Sequence, residues 1–332
     1  MAASYLALSL GRLGAAIRRP DVIEICLNPD GAAFGEFQGD AHMRSLGQPL
    51  APQEIRDLAH QIAAEAQVTL SARRPVISVS TAFEGRPIRA QVLQPPVTEG
   101  GPSISLRFFS SLPLGALEIR YLHGQPQSAG DIRTARNARL RGIVAGGDIG
   151  QALQFCADEK LNMIISGGTS TGKTVTARKL LSLVPAHERI ITIEEAAELR
   201  PAQPNVVTLL ADRESETRSA DALLTAALRM RPDRIVLGEI RGREALTFLE
   251  AINTGHGGSL TTLHAETPQL ALQRLAIAAL KAELPMSYSD MLFYIRNSID
   301  VILQTGRVNG RRGVTEFYLP GDDLVPDRPD RS

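Results

Sequence analysis

Residues 167–174 read Gly167-Gly168-Thr169-Ser170-Thr171-Gly172-Lys173-Thr174, the phosphate-binding loop pattern G-x-x-x-x-G-K-T. Glycines let consecutive backbone N–H groups turn toward phosphate oxygens, where a Cβ would obstruct the turn. In such loops the lysine ammonium reaches the β and γ phosphates, and the hydroxyl that follows it ligates Mg²⁺. The segment, with Val175 added at its end, therefore predicts a binding site for ATP and Mg²⁺.

The sequence on both sides of this loop has the pattern that a genuine phosphate loop requires. Before it, the apolar run 163–165 predicts a short buried strand. After it, Pro185 closes a segment in which apolar residues recur at helical spacing, at Ala177, Leu180, Leu181 and Val184. The positive end of that helix would point toward the phosphates. This strand–loop–helix order makes a chance glycine-rich turn a poor explanation.

Two more short apolar segments each end in an acid. Residues 190–193 are β-branched and lead into Glu194, which could orient or deprotonate an attacking water. Acids at a helix N-terminus are the alternative, and they explain the nearby Glu198 better. Residues 234–238 lead into Glu239, the layout in which a carboxylate holds Mg²⁺ or orients the nucleophile. We therefore expect both acids at the carboxyl edge of a parallel sheet, where open α/β sheets bind ligands.

A threonine-rich strand lies between two histidines, His256 and His264. No set of carboxylate or thiol ligands accompanies them, so a metal site is not expected. His264 could sense the γ-phosphate by hydrogen bonding, or it could be an ordinary histidine at the end of a strand. Arg229 and Arg231, upstream, could contact phosphate or cap a helix C-terminus. Both alternatives stay open on the sequence pattern.

The first hundred residues predict a small mixed α/β domain. Apolar and polar residues alternate over 23–27, which is typical of a half-buried strand. Residues 28–31 have the preferences of a type I turn, so 33–37 can return as the partner strand. Apolar residues at helical spacing over 53–66 predict an amphipathic helix.

Two later strands of this domain, at 88–93 and 103–108, carry arginines of interest. Alternate apolar residues place Arg89 in the first strand and Arg107 in the second on the face away from the core. From this pattern alone, two solvated arginines are the simpler interpretation.

Composition limits the remaining classes of protein. The chain has 332 residues, room for two domains, and 36 basic residues balance 36 acidic ones. The zero net charge gives no global attraction to nucleic acid or anionic lipid. Two cysteines exclude a disulfide scaffold and a four-cysteine zinc site. Apolar runs of about 18 residues are missing, and so is the pattern of a signal peptide, so neither a membrane span nor a signal peptide is expected.

These patterns divide the chain into four predicted segments. Residues 1–112 form the N-terminal domain, 113–145 a linker, 146–319 the phosphate-loop domain and 320–332 a mobile tail. The linker carries an arginine stripe at helical spacing, at Arg133, Arg136, Arg139 and Arg141. This stripe could contact nucleic acid or phospholipid, or it could be a solvated or subunit-contacting helix face.

The order of the motifs resembles that of the hexameric secretion ATPases, and most of all the traffic ATPase of bacterial type IV secretion and conjugation systems. The resemblance rests on boxes in the C-terminal two thirds, namely the phosphate loop, Thr192-Ile193-Glu194-Glu195, Arg229-Met230-Arg231-Pro232-Asp233-Arg234, Gly238-Glu239-Ile240-Arg241, Thr254-Gly255-His256 and Thr262-Leu263-His264-Ala265. Two N-terminal segments match as well, Arg89-Ala90-Gln91-Val92 with Pro95-Pro96-Val97, and Ser103-Ile104-Ser105-Leu106-Arg107. The implied fold is an N-terminal mixed α/β domain followed by a RecA-like phosphate-loop domain.

The resemblance also implies roles for individual residues. Glu194 matches the catalytic glutamate of the family, Glu239 the Walker B glutamate that serves the Mg²⁺ site with Thr174, and His264 the His-box histidine. Arg89 and Arg107 match N-terminal arginines that close over the γ-phosphate, which reverses their simpler interpretation. A further phosphate contact is implied for Arg231. The family usually has Glu-Asp where this chain has Glu194-Glu195, which leaves any role of the second acid open.

The function implied is a ring of six copies that hydrolyses Mg-ATP for pilus assembly and export. It would work at the cytoplasmic face of the inner membrane with the other secretion ATPases and the coupling protein. Among the alternatives, type II and pilus-extension motors often carry a tetracysteine zinc insertion that two cysteines exclude, whereas retraction motors lack it and stay open. A DNA-translocating ATPase rests on the arginine stripe, and a small-molecule kinase would leave the N-terminal domain without a role.

Overall fold

The protein is described by a computed structural model that covers residues 5–47, 49–109, 119, 121 and 124–321. It consists of two α/β domains, each built on one sheet, as the resemblance implies. The segment boundaries at 112, 145 and 319 remain predictions. Residues 113–118 of the predicted linker and 322–332 of the predicted tail lie outside the described residues.

The N-terminal domain is an antiparallel sheet with helices on one face. Its helices are α1 (Tyr5–Gly11), α2 (Ala15–Arg18) and α3 (Pro52–Glu65). Its strands are β1 (Val22–Leu27), β2 (Ala33–Phe37), β3 (Arg44–Ser45), β4 (Val76–Phe83), β5 (Arg86–Leu93) and β6 (Ser103–Phe108), in the order β3-β2-β1-β6-β5-β4. The predicted hairpin, amphipathic helix and two arginine-bearing strands are all present.

The C-terminal domain is a mostly parallel sheet between two helical layers. Its helices are α4 (Ala129–Ala145), α5 (Ile149–Asp158), α6 (Lys173–Leu181), α7 (Ala220–Ala227), α8 (Glu244–Asn253), α9 (Pro268–Leu280) and α10 (Tyr288–Ser298). Its strands are β7 (Met163–Gly167), β8 (Ile190–Glu194), β9 (Val206–Leu210), β10 (Arg234–Leu237), β11 (Leu260–Leu263), β12 (Val301–Val308) and β13 (Arg311–Tyr318). They lie in the order β13-β12-β7-β11-β10-β8-β9, and only β13 runs antiparallel to its neighbour.

Successive residues of the central strands enter opposite cores, because side chains alternate along a strand. On β7, Ile164 packs in the core formed with α7–α10, whereas Met163 and Ile165 pack with α4–α6. Strands buried on both faces are apolar throughout, which is why the short runs were recognisable in the sequence.

The prediction that β1 is half-buried is wrong. Ile23 is exposed, whereas Glu24 and Cys26 on the same strand are buried. The reason is that the C-terminal domain covers the second face of the N-terminal sheet, and the Cys26 Sγ lies 3.8 Å from the carbonyl oxygen of Met230. The same domain contact explains other polar residues that are buried on β5 and β6, namely Gln91, Ser103 and Ser105.

The two domains are joined by a buried polar network. The Arg189 guanidinium, fully buried, donates to the Oδ1 atoms of Asn28 (2.6 Å) and Asn205 (2.5 Å). Arg231 donates hydrogen bonds to both carboxylate oxygens of Glu36, at 2.7 and 2.8 Å. The partly buried, bidentate Arg231–Glu36 pair and the buried Arg189 hydrogen bonds together favour one orientation of the N-terminal domain on its own C-terminal domain.

The arginine stripe contacts the protein itself. Arg133 donates to backbone carbonyls at the C-terminal end of α10, Arg136 pairs with Asp300 and Arg139 with Glu159. Cations at a helix C-terminus satisfy its free carbonyls. Three of the four arginines thus attach α4 to the C-terminal domain, which removes the main support for a nucleic-acid contact there.

A buried ion pair at the amino edge of the C-terminal sheet gives a test of stability. Arg234 and Glu188, whose side chains are 3% and 2% exposed, form two contacts of 2.6 and 3.0 Å. Replacing Arg234 by alanine leaves a buried carboxylate without this partner, and we expect a loss of about 3–5 kcal/mol of unfolding free energy. Urea unfolding of the variant measures this loss. The double variant R234M/E188M serves as the control and should be clearly more stable than R234A, and equal stability of the two would contradict the expectation.

Candidate active site

The phosphate loop turns between β7 and α6 with the backbone that its glycines permit. Gly172 has a φ of +100° and Ser170 a φ of +60°, both in the left-handed region. A Cβ at Gly167 would lie 2.2 Å from the Oγ1 of Thr305, so no larger residue fits there. The loop therefore packs closely against β12 while its outer side stays open.

This open side forms one wall of a cavity of about 970 Å³. Among the predicted site residues, the lining ones are Thr169, Ser170, Thr171, Gly172, Lys173, Thr174, Val175, Glu194, Glu239 and His264. Gly167 and Gly168 contribute through their carbonyl oxygens, which accept hydrogen bonds from the Lys173 Nζ at 3.0 and 2.8 Å. The structure thus brings together residues that are up to 97 positions apart, from Gly167 to His264.

Glu194 ends β8 and is almost completely buried at 6% exposure. Its Oε2 accepts hydrogen bonds from the backbone N–H groups of Glu198 (3.0 Å) and Leu199 (2.9 Å). Its other oxygen, Oε1, is buried and has no hydrogen-bond partner among the described residues. Since buried polar atoms are normally paired, an unpaired carboxylate oxygen on a residue that lines the cavity indicates a functional role.

Three further groups form a row across the cavity. The Nδ1 of His264 lies 3.4 Å from the Nζ of Lys173, and its Nε2 lies 3.5 Å from a carboxylate oxygen of Glu239. An ammonium only donates, so Nδ1 accepts and the ring proton belongs on Nε2, facing the carboxylate. Burial, followed by the nearby Lys173 and Arg274 charges, lowers the pKa of His264, which keeps the ring neutral at pH 7.

Burial also shifts the two charged ends of this row toward neutrality. It raises the pKa of the Glu239 carboxyl and lowers the pKa of the Lys173 ammonium, and in each case the charge of the other residue opposes the shift. The Lys173 ammonium is thus short of negative counter-charge, which a phosphate beside it would supply.

The residues of the cavity fit Mg-ATP. The N-terminus of α6 opens onto the cavity, where its backbone N–H groups suit a phosphate. Thr174 and Glu239 both line this cavity. Hard oxygen donors of this kind suit Mg²⁺, which keeps several waters and takes only one or two protein ligands.

The predicted arginines lie in a different cavity. Arg89, Arg107 and Arg231 line a second cavity of about 390 Å³ together with Arg229, and we call it the arginine pocket. The residues of the C-terminal domain that line the arginine pocket precede β7, β10 and β11 in the chain. The residues that line the phosphate-loop cavity follow the same strands. Parallel strands share their ends, so the two cavities lie at opposite edges of one sheet.

The predicted closure of Arg89 and Arg107 over the γ-phosphate is therefore not formed within one described chain. The reason is the domain contact described above, which places β5 and β6 at the amino edge of the C-terminal sheet. Arg231 is already paired with Glu36 and Asp233. A phosphate contact of these three arginines remains a prediction.

The two histidines lie in different cavities. His256 lines the arginine pocket and its Nδ1 lies 3.1 Å from the carbonyl oxygen of Pro232, whereas His264 lines the other cavity. Within the described ranges, no three His, Cys, Asp or Glu side chains converge to hold a metal. In the same ranges, no helix has the length and apolarity needed to cross a bilayer.

Comparisons with known proteins agree with this geometry. The family model described as Type II/IV secretion system protein matches residues 146–308. The conjugal transfer protein TrbB of Rhizobium radiobacter is 32% identical over 316 residues, which cover 93% of this chain and 87% of TrbB. Protein VirB11 of the same species is 31% identical over 314 residues, which cover 91% of this chain and 90% of VirB11. The chain belongs to the VirB11 family of type IV secretion ATPases.

A solved structure supports the same assignment. The VirB11 ATPase from the Brucella suis type IV secretion system, determined in complex with sulphate, matches with a TM-score of 0.81 at 25% identity. The match covers 96% of this chain and 95% of the Brucella chain. The resemblance stated from the sequence motifs, including the ATPase class, is thereby confirmed.

Several residues of this VirB11-family cavity were missed by the sequence analysis. Additional basic side chains line it, namely Arg213, Arg241, Arg243, Lys281 and Arg312. Arg241 forms an ion pair with Glu239, two positions away, so its motif carried a local signal. Arg312 arrives from the β12–β13 hairpin and lies against Gly172, with no sequence signal for the contact. The N-terminal Glu24, buried in the arginine pocket, was missed because its strand was read as half-exposed.

Proposed function

We propose that this protein hydrolyses Mg-ATP and works as a ring of six copies that powers type IV secretion. The observation that carries the proposal is the Glu194 carboxylate, buried in the cavity of the phosphate loop with one oxygen oriented and unpaired among the described residues. A fixed carboxylate near the phosphate site suits a residue that positions or deprotonates a water. With water as the proposed nucleophile, the reaction is hydrolysis rather than transfer to another acceptor.

Each part of the cavity has a role in this proposal. The backbone of the loop and the Lys173 ammonium bind the phosphates and stabilise charge that develops on the transferred group. Mg²⁺, which Thr174 and Glu239 would hold, neutralises phosphate charge when bound. His264, neutral and between Lys173 and Glu239, would sense the γ-phosphate because both of its neighbours respond to that charge.

The position of the arginines supports a ring. Arg89 and Arg107 line the arginine pocket at the opposite edge of the sheet from the phosphate loop of the same chain. The buried network around Arg189 opposes a swing of the N-terminal domain toward that loop. We therefore assign the two arginines to the γ-phosphate held by an adjacent copy. Copies that contact each other head to tail form a ring when the rotation between neighbours closes on itself, and the resemblance to hexameric ATPases favours that outcome.

The biological setting is proposed from the relatives. One of them is named a conjugal transfer protein and others are named VirB11, which supports a role in conjugation or in secretion of DNA or protein. In this setting the ring would drive pilus assembly and substrate export at the cytoplasmic face of the inner membrane. Its partners would be the other secretion ATPases and the coupling protein.

The solution mass tests the ring. The chain mass is 35.8 kDa, so six copies predict about 215 kDa by light scattering. We expect this mass with Mg²⁺ and a non-hydrolysable ATP analogue, because nucleotide bridges adjacent copies. A mass of one chain both with and without the analogue would contradict the ring.

A further inference from the structure

The arginine pocket contains guanidinium groups that lack an acidic partner among the described residues. Arg89 and Arg107 lie directly opposite each other on β5 and β6, an arrangement in which like charges repel. Among the described residues, neither of them nor Arg229 has a hydrogen-bond or ion-pair partner within contact distance. Three unpaired guanidinium groups around one cavity suit an oxyanion, which accepts hydrogen bonds from several of them.

Glu24 is the buried acid of this pocket. It lies on β1, opposite Arg107 of β6 on one side and Glu36 of β2 on the other. The residue is 4% exposed and lines the cavity without a hydrogen bond or ion pair to any described residue. A carboxylate here is a counter-charge to the arginines, and it occupies the same positive potential that an entering anion would use.

We propose that Glu24 takes up a proton when a phosphate-type oxyanion enters the arginine pocket. The inference deepens the proposed function and rests on it in one respect, since the anion would be the γ-phosphate of ATP on an adjacent copy. Free phosphate has the same chemistry and is the other source. Proton uptake would remove the repulsion between the Glu24 carboxylate and the anion.

The protonation of Glu24 is accessible near neutral pH. Burial raises its pKa to about 7, although the charges of Arg107, Arg189 and Arg231 oppose the shift. The group is therefore neutral below about pH 7 and negative above it. Anion affinity should be high at low pH and fall as the pH rises through about 7, because the anion then competes with a carboxylate.

Other charged groups face this pocket, and one of them could give the same trend. Those around Glu24 are Arg89, Arg107, Glu36, Lys160, Arg189, Arg229, Arg231, Asp233 and His256. Only His256 among them is a histidine, and burial lowers its pKa. Protonation of His256 would also attract an anion at low pH, so the test includes a variant that removes this group.

Sulfate is a suitable probe because its charge does not change between pH 6 and pH 8. The chain carries Lys173→Ala to weaken the phosphate loop, and equilibrium dialysis of labelled sulfate is run at constant ionic strength. If sulfate binds only to the form of the pocket in which Glu24 is protonated, the sulfate affinity falls about tenfold from pH 6 to pH 8. Adding Arg89→Gln and Arg107→Gln should abolish this binding. Unchanged binding in that variant would overturn the site.

Two single substitutions show which residue takes up the proton. In the same background, Glu24→Gln should remove the pH dependence and give at pH 8 the affinity that the parent has at pH 6. His256→Asn should leave the dependence in place. A dependence that survives Glu24→Gln, or that disappears with His256→Asn, would overturn the role of Glu24.

A displacement experiment distinguishes the two sources of the anion, the nucleotide of another copy and free phosphate. Chains with Arg89→Gln and Arg107→Gln, loaded with a non-hydrolysable ATP analogue, are added to the sulfate complex. Release of sulfate supports the pocket as a site for the nucleotide of another copy. Retention supports the pocket as a site for free oxyanion, and it counts against the ring contact rather than against proton-linked binding.

Discussion

Replacing Glu194 by glutamine is expected to lower the ATP turnover rate by about 10²–10³-fold while nucleotide affinity changes little. Glutamine keeps a carbonyl oxygen that can accept from the backbone N–H groups of Glu198 and Leu199. It replaces the unpaired Oε1 by a group that donates and cannot take a proton from water. Phosphate release measures turnover, and a fluorescent ATP analogue measures binding.

The neighbouring acid provides a matched control for this change. Glu195 lines the same cavity, but its side chain is 55% exposed and is ion-paired with Arg213. Such pairs contribute little, so Glu195→Gln should keep turnover within about threefold of the parent. Equal losses in the two variants would show that Glu194 has no special role, and so would normal turnover in Glu194→Gln.

Replacing Lys173 by alanine is expected to abolish measurable hydrolysis and to weaken ATP binding strongly. The change removes the ammonium that the loop carbonyls of Gly167 and Gly168 hold at the cavity. Loss of one such charge-stabilising donor costs about 10²–10³-fold in rate, and the lost ground-state contact adds to it. Calorimetry with the ATP analogue and a phosphate-release assay measure the two effects.

A second lysine on the same helix is the control for that variant. Lys179 is exposed on α6, and it does not line the cavity. Lys179→Ala should therefore bind and hydrolyse ATP as the parent does. Full hydrolysis by Lys173→Ala would contradict the assignment of the phosphate loop, whatever the control shows.

The C-terminal domain was largely predictable from local patterns. Its strands are buried on both faces, so short apolar runs such as 190–193 stand out, and the phosphate loop fixes the strand before it and the helix after it. The N-terminal hairpin followed from its turn residues in the same way. The alternation of apolar and polar residues on β1 predicted a half-buried strand. That prediction was wrong because the burial of Glu24 and Cys26 depends on the other domain.

The parts of the site that lie on motifs were predictable, and the parts that depend on domain placement were not. Glu194 and Glu239 end parallel strands, which puts them at one edge by topology alone. Arg89 and Arg107 were correctly placed on the exposed face, yet only the three-dimensional arrangement shows which cavity they line. No local sequence signal links Arg312 to Gly172, since the contact joins segments 140 residues apart.

The central claim is that the phosphate loop of one copy works with the arginines of another, and mixing two inactive variants tests it directly. One variant carries Lys173→Ala and keeps Arg89 and Arg107, and the other carries Arg89→Gln and Arg107→Gln and keeps the loop. Each alone should be nearly inactive. In random equimolar rings about a quarter of the sites pair an intact loop with intact arginines, so the mixture should regain about a quarter of the parent activity. A mixture no more active than its two components would contradict the claim.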